Sequence, residues 1–557
     1  MNTVTQRYVP ILFLLFSLTL LIPRILLWQN GTDRERMSDT LTRDTIELLQ
    51  AGSNHTLVSF FQSDHKYPLL GAYLSIPAVT GAYFFEKWQG KYTDSAGFAC
   101  AFVLDQTKMH LWLRFEMLII SLLGIYFLFR TLRLSNPNEP LVAWIGAILA
   151  TVSFYGTVFS VAPRIHSWAF FFSALTLFFT VRYYKDPTFS KALIAFLAGG
   201  LTFAVSQSGL VAIALPLVAV ILVPRTLSTV KEKWKIIFKE LFGGLLLAIL
   251  TACILGYPKL FSVLFEQTFS FTNISHVFLN PIHSQPSFGF GGIGVLLSNL
   301  FGTEFIFLGT AILAFVYVAK HRRLPFVLLD HITVIPVIAF FILFGLTSVA
   351  SGRFLLVILP LIFFVTARFL GTQLRGVWAR AFIFITVFVQ LFLIVQLSVM
   401  ASRPDTRYAT VEHLLHTTDT STNILATIDH HSLGLPLHPA SLALIPPDDL
   451  GATDALIIKN GLVSERSRKY RYWDPDQESL TAKDLMRYNV IIFDEYRQRE
   501  AWQEELTKSG FRADKVFVPH RFGVNEYSFN WDSFGSGNML ELFSLKSFGP
   551  PLFIFRR

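Results

Sequence analysis

The stretch YPLLGAYLSIPAVTGAYFF, Tyr67 to Phe85, decides how the whole chain is threaded. It is apolar and nearly as long as the roughly 20 residues a helix needs to cross a bilayer. Eleven other apolar runs of spanning length stand near 9–28, 111–129, 141–160, 166–184, 192–206, 208–223, 241–257, 303–319, 328–349, 354–370 and 381–399. One further crossing at 67–85 would move every later loop to the opposite side. Charge decides between the two threadings. Without that crossing, the turns FRTLR, VRYYKDPTFSK, PRTLSTVKEKWKIIFKE, KHRR and RFLGTQLRGVWAR share one side and hold 16 Lys and Arg. The loops opposite hold three, Arg164, Lys259 and Arg353. Basic loops stay in the cytoplasm, so the N-terminus is expected inside, with 67–85 lying in or dipping into the outer leaflet. Pro68, Pro77, Gly71 and Gly81 also weaken a straight spanning helix there.

Composition agrees with a membrane protein. Of 557 residues, 52% are hydrophobic and 15% aromatic, too apolar for a soluble chain of this size. The first run, Val9 to Trp28, has spanning length and no small-residue cleavage site behind it, so it reads as a retained helix. The net charge of +9 is scattered in short clusters between apolar runs, the pattern of orientation signals and not of a nucleic-acid surface. Only Cys100 and Cys253 are present, the second inside an apolar run, which argues against a structural disulfide. The fold class is an α-helical polytopic membrane protein of about 11 transmembrane helices, residues 1–399. A small external α/β domain, 400–557, follows, in which NILATI, NVIIFDEY and PLFIFRR alternate with polar helical stretches such as REAWQEELTKSG.

Two long loops share the external side with that domain, 29–110 and 257–302. Long loops tend to be functional or disordered, and the first has the aromatics and the amphipathic TLTRDTIELLQ of packed juxtamembrane helices. It opens on WQNGTDRERMSDT, placing Asp33, Glu35 and Asp39 beside the headgroups, where anionic lipid repels them.

Several motifs resemble the polyprenyl-phosphate-dependent membrane glycosyltransferases of the GT-C superfamily, which include protein O-mannosyltransferases and lipid A aminoarabinose transferases. TDRERM, Thr32 to Met37, is similar to the family's acidic PDE-x-RY motif after the first helix. DHKYPLLGAY, Asp64 to Tyr73, is similar to its KP or PPL-x-Y segment. LRFEMLIISLLGIYFLFR resembles its second helix, SGRFLLVILPLIFF its RY-x-L-P-x-x-P helix, and SRPDTRYATVEHL the start of its external C-terminal domain. The resemblance covers nearly the whole chain and implies inverting transfer of a sugar from a polyprenyl-phosphate donor on the external face, in a multi-pass protein of the plasma or inner membrane.

Such a transfer needs a carboxylate base for the acceptor hydroxyl and cations for the departing phosphate. Alignment on the acidic motif favours Asp33 as base, with Glu35 behind it; helix caps or solvated acids are the plain alternative. Asp39 and Asp44 read as a cap and a solvated face. Lys66 lies in the segment similar to the KP motif. Arg164 and Arg353 stand at the external ends of apolar runs, as phosphate ligands or as side chains snorkelling to the headgroups. Some family members hold a divalent metal ion between the two external loops, for which His65, His276 and His283 are the imidazoles available, although ordinary loop histidines read the same way. The acceptor, whether protein, lipid or glycan, is not written in these residues. A transporter or flippase would also need many spans, but the repeats and paired broken helices common in such proteins are absent. An oligosaccharyltransferase is the alternative within the enzyme class.

Overall fold

A computed structural model describes tracts 68–95, 107–162, 164–224, 229–259, 291–321, 327–346, 351–373, 377–428, 438–442, 467–475, 477–521 and 539–557, with minor gaps and scattered positions besides. Asp33, Glu35, His65, Lys66, His276 and His283 lie outside the described residues.

Among the described residues the first long helix, α1, is Leu70–Trp88. It runs unbroken through Pro77, where the sequence suggests a weakened helix. Burial on two sides offsets the lost hydrogen bond. Leu70 and Ala72 pack with Met117, Ile120, Trp168 and Phe172 of the helical bundle, whereas Val79 and Ala82 pack with Val411, Leu414 and Ile424 of the C-terminal part. The bundle follows as α2 (Thr107–Ser135), α3 (Pro140–Val152), α4 (Phe154–Phe159), α5 (His166–Lys185), α6 (Phe189–Val205), α7 (Leu210–Leu222) and α8 (Val230–Leu255). It continues with α9 (Gly291–Thr303), α10 (Phe305–His321), α11 (Leu328–Gly345), α12 (Leu359–Arg368) and α13 (Val377–Ala401).

Small residues let these helices approach. A Cβ on Gly200 of α6 would stand 2.6 Å from the Ala248 carbonyl oxygen of α8, so backbone meets backbone at that crossing. The outward faces remain apolar. On α13, Phe384, Phe388, Phe392 and Val395 repeat at helical spacing and are all more than half exposed, and Phe238 and Phe242 do the same on α8. A helix apolar on both its packed and its open face belongs in lipid. Among the described residues four helical stretches are long and apolar enough to cross: Leu111–Ser135, Val230–Leu255, Leu328–Gly345 and a part of Val387–Thr417, which breaks into two helices around Ser402–Asp405. The chain is an integral membrane protein.

Three apolar runs are divided differently from their sequence outline. The run 141–160 breaks at Ser153, which caps α4 by accepting from the Gly156 N–H. The run 354–370 begins as the tight turn Gly352–Val357 before α12, and 303–319 is interrupted at Glu304 between α9 and α10. Each break coincides with a buried polar contact described below.

After α13, helix α14 (Thr406–Thr417) leads into a mixed sheet of β1 (Asn423–Ala426), β2 (Lys469–Tyr472), β3 (Val490–Phe493), β4 (Arg512–Phe517) and β5 (Leu552–Arg556), in the order β2-β1-β3-β5-β4. The first three are parallel, with Ile424 opposite Val490, and β5 runs antiparallel to both its neighbours. Alternation serves two faces: Ile424, Val490 and Ile492 face α14 and α1, whereas Leu425, Ile491 and Phe493 cluster with Trp473, Trp502 and Leu506. Trp502 and Leu506 come from α15 (Tyr496–Lys508). A short α16 (Met539–Ser544) returns to the bundle. Gln396 of α13 donates to the carbonyls of Leu542 and Leu545, and Phe392 stacks on Phe543 at 4.9 Å.

Candidate active site

Two of the sequence-selected cations are described, and the fold brings them together. Arg164 lies in the turn between α4 and α5, its N–H donating to the Ala162 carbonyl at 2.7 Å. Arg353 lies 189 positions later in the turn Gly352–Val357. Both guanidiniums stand within electrostatic reach of the imidazole of His166, the first residue of α5. His166 is 3% exposed, and its ring meets Phe159 edge-on at 5.1 Å. Arg353 also lies over the ring of Phe354, 5.7 Å from its centre.

The adjoining ends of α1, α2 and α5 carry a second polar group that the sequence does not single out. Glu116 of α2 accepts from the Ser75 hydroxyl of α1 at 3.2 Å. The Trp168 indole of α5 faces the same carboxylate without closing a hydrogen bond of ordinary geometry.

A third cluster lies at the start of α4. Glu304 Oε1 accepts from Ser153 Oγ at 2.6 Å and from the Tyr155 N–H at 3.0 Å, and its Oε2 accepts from Gln390 Nε2 at 3.2 Å. The Tyr155 hydroxyl donates to Asn299 Oδ1 at 2.7 Å. Tyr155 stacks on Phe159, 6.0 Å between centres, and Phe159 in turn meets His166, so the cluster and His166 both contact α4. A lone acid inside an apolar run is the signal that points to Glu116 and Glu304.

No group of three His, Cys, Asp or Glu able to hold a metal ion occurs among the described residues. The groove formed by Glu500, Gln503, Glu504, Thr507 and Lys508 lies along α15, away from these cations.

No protein-family model and no curated protein matches the chain. Solved structures do. ArnT from Cupriavidus metallidurans bound to undecaprenyl phosphate is similar over 89% of this chain and 94% of its own, with 12% identity and a TM-score of 0.48. The apo state of the same protein gives 14% identity and a TM-score of 0.46, over 90% and 95% of the two chains. The Archaeoglobus fulgidus oligosaccharyltransferase tethered with an acceptor peptide gives 10% and 0.39, over 80% of this chain and 62% of that one.

Proposed function

We propose that this protein is a membrane glycosyltransferase that moves a sugar from a polyprenyl-phosphate donor to an acceptor hydroxyl on the external face, with inversion. The observation that supports the reading is that Arg164 and Arg353, 189 positions apart in sequence, both stand within electrostatic reach of His166. A polyprenol tail holds the donor phosphate at headgroup height, and cations fixed there meet its growing negative charge.

In the proposed step the acceptor oxygen attacks the anomeric carbon as its proton passes to a carboxylate of the first loop, Asp33 before Glu35. The anomeric carbon–oxygen bond to phosphate breaks, and the bonding pair leaves with the polyprenyl phosphate. Lys66, Arg164 and Arg353 neutralise that group; their positive charge makes it a better leaving group without a proton transfer to it. The base of the incoming hydroxyl must sit on the opposite side of the sugar from these cations, which is what inversion requires. In this reading the first loop and the sheet with its helices lie outside, and α1 rests in the outer leaflet. Trp88 and Phe84, 82% and 61% exposed at its end, suit that depth.

The test compares cells with and without the gene by mass spectrometry of lipid-linked sugars and surface glycans. Accumulation of one polyprenyl-phosphate sugar together with loss of one glycan is expected. The purified protein should then move that sugar from the isolated lipid. An unchanged lipid pool and no transfer would end the proposal. Paired assays with mono- and oligosaccharide lipid donors separate a monosaccharide transferase from an oligosaccharyltransferase.

A further inference from the structure

We infer that Glu304 is a positioning residue: through α4 it seats the turn that carries Arg353. The inference rests on the reading of Arg353 as a phosphate ligand and extends it to residues that never reach the donor.

The connection is continuous. Glu304 holds the start of α4 by accepting from both the Ser153 hydroxyl and the Tyr155 N–H, and Gln390 of α13 donates to its other oxygen. With its backbone fixed, Tyr155 directs its hydroxyl to Asn299 of α9. The Tyr155–Asn299 pair forms the seat of Gly352. A Cβ at position 352 would lie 2.2 Å from the Tyr155 hydroxyl oxygen and 3.2 Å from Asn299 Cγ, so glycine is required by close approach and not by a turn conformation. The far end of the turn is fastened as well, because Ser173 of α5 donates to the Val357 carbonyl at 2.5 Å. Arg353 thus stands one residue from a rigid seat. On the other side of α4, Phe159 touches His166 and its carbonyl accepts from the Ser167 hydroxyl at 2.7 Å. One carboxylate therefore governs the backbone that flanks both sides of the cation cluster.

The chemistry of Glu304 fits a backbone anchor. It is 1% exposed and its two oxygens accept from a hydroxyl, an amide N–H and a side-chain amide. A buried carboxylate in an apolar bundle is costly and is retained where its geometry matters.

The test uses full-length variants in nanodiscs, with undecaprenyl phosphate as the probe and thermal melting as the control for folding. Arg353→Gln reports on the phosphate reading. Gly352→Ala and Tyr155→Phe report on the seat, and each is expected to weaken probe binding by about tenfold, the order of effect of displacing a positioned group. Glu304→Gln keeps an oxygen for Ser153 and Tyr155 and should bind within about threefold of the parent, whereas Glu304→Leu should behave as Gly352→Ala does. The decisive readout is coupling. Because the seat acts through Arg353, Tyr155→Phe added to Arg353→Gln should cost little beyond Arg353→Gln alone. Additive losses would overturn the inference while leaving the phosphate reading intact. So would parent-like binding by Gly352→Ala and Tyr155→Phe when Arg353→Gln binds weakly. If Arg353→Gln itself binds as the parent does, the phosphate reading fails and the inference falls with it.

Discussion

Arg368 and Arg353 are two arginines of one bundle, each lying over a phenylalanine ring, and their surroundings differ. Arg368, at the end of α12, places its guanidinium over Phe364 and donates to Asp330 at 2.6 Å and to Asn136 at 2.9 Å. Those partners belong to α11 and to the end of α2, so the cation locks three helices at the basic end of the bundle. Arg353, over Phe354, shares its surroundings with a second arginine and an imidazole. A cation beside a carboxylate has its charge answered within the fold. A cation near a second cation is the arrangement that the proposed function assigns to holding an anionic phosphate.

The largest effect tests the chemistry proposed for this grouping. Asp33→Asn keeps the shape of the side chain and removes its basicity, so transfer should fall by about 100-fold or more while undecaprenyl phosphate still binds. Near-normal turnover of that variant would move the search to Glu35. Next comes the structural arginine. Arg368→Leu strands the buried Asp330 carboxylate, and a loss of about 3–5 kcal/mol is expected, read as a clear drop in melting temperature. A variant that melts with the parent would show the lock to be idle. Arg353→Gln should do the reverse: an unchanged melt, with probe affinity weakened by about 1.5–3 kcal/mol, the range for hydrogen bonds to charged groups. Equal thermal losses at 353 and 368 would erase the comparison. The smallest effect is expected at the solvent-exposed pair of Arg471 and Glu478, where Arg471→Ala should cost under about 1 kcal/mol by melting.

These two arginines also mark what a reader of the sequence sees. Apolar runs show where helices form, and NILATI, NVIIFDEY and PLFIFRR contain β1, β3 and β5, because burial leaves a local imprint every two or four residues. Arg353 is visible as a cation at the end of a run. Its proximity to Arg164 is not, since nothing local connects positions 189 apart. Glu304 is visible as a lone acid in an apolar run, but its donors, Ser153 and Tyr155, are about 150 positions away and nothing local points to them. The same contact explains why the run 141–160 is two helices: the carboxylate offers the N-terminus of α4 a partner that the sequence of α3 does not announce. The first-loop acids are conspicuous in sequence, and their geometry belongs to residues outside the described tracts.

Helix α1 has a mechanical consequence. Its N-terminal half is built into the core of the bundle and its C-terminal half into the core beneath the sheet, while α16 clasps α13 from the other direction. The connection at Ser402–Asp405 is therefore not a hinge. Cutting the chain there with an inserted protease site should leave both fragments travelling together through detergent gel filtration, as two halves of one rigid body.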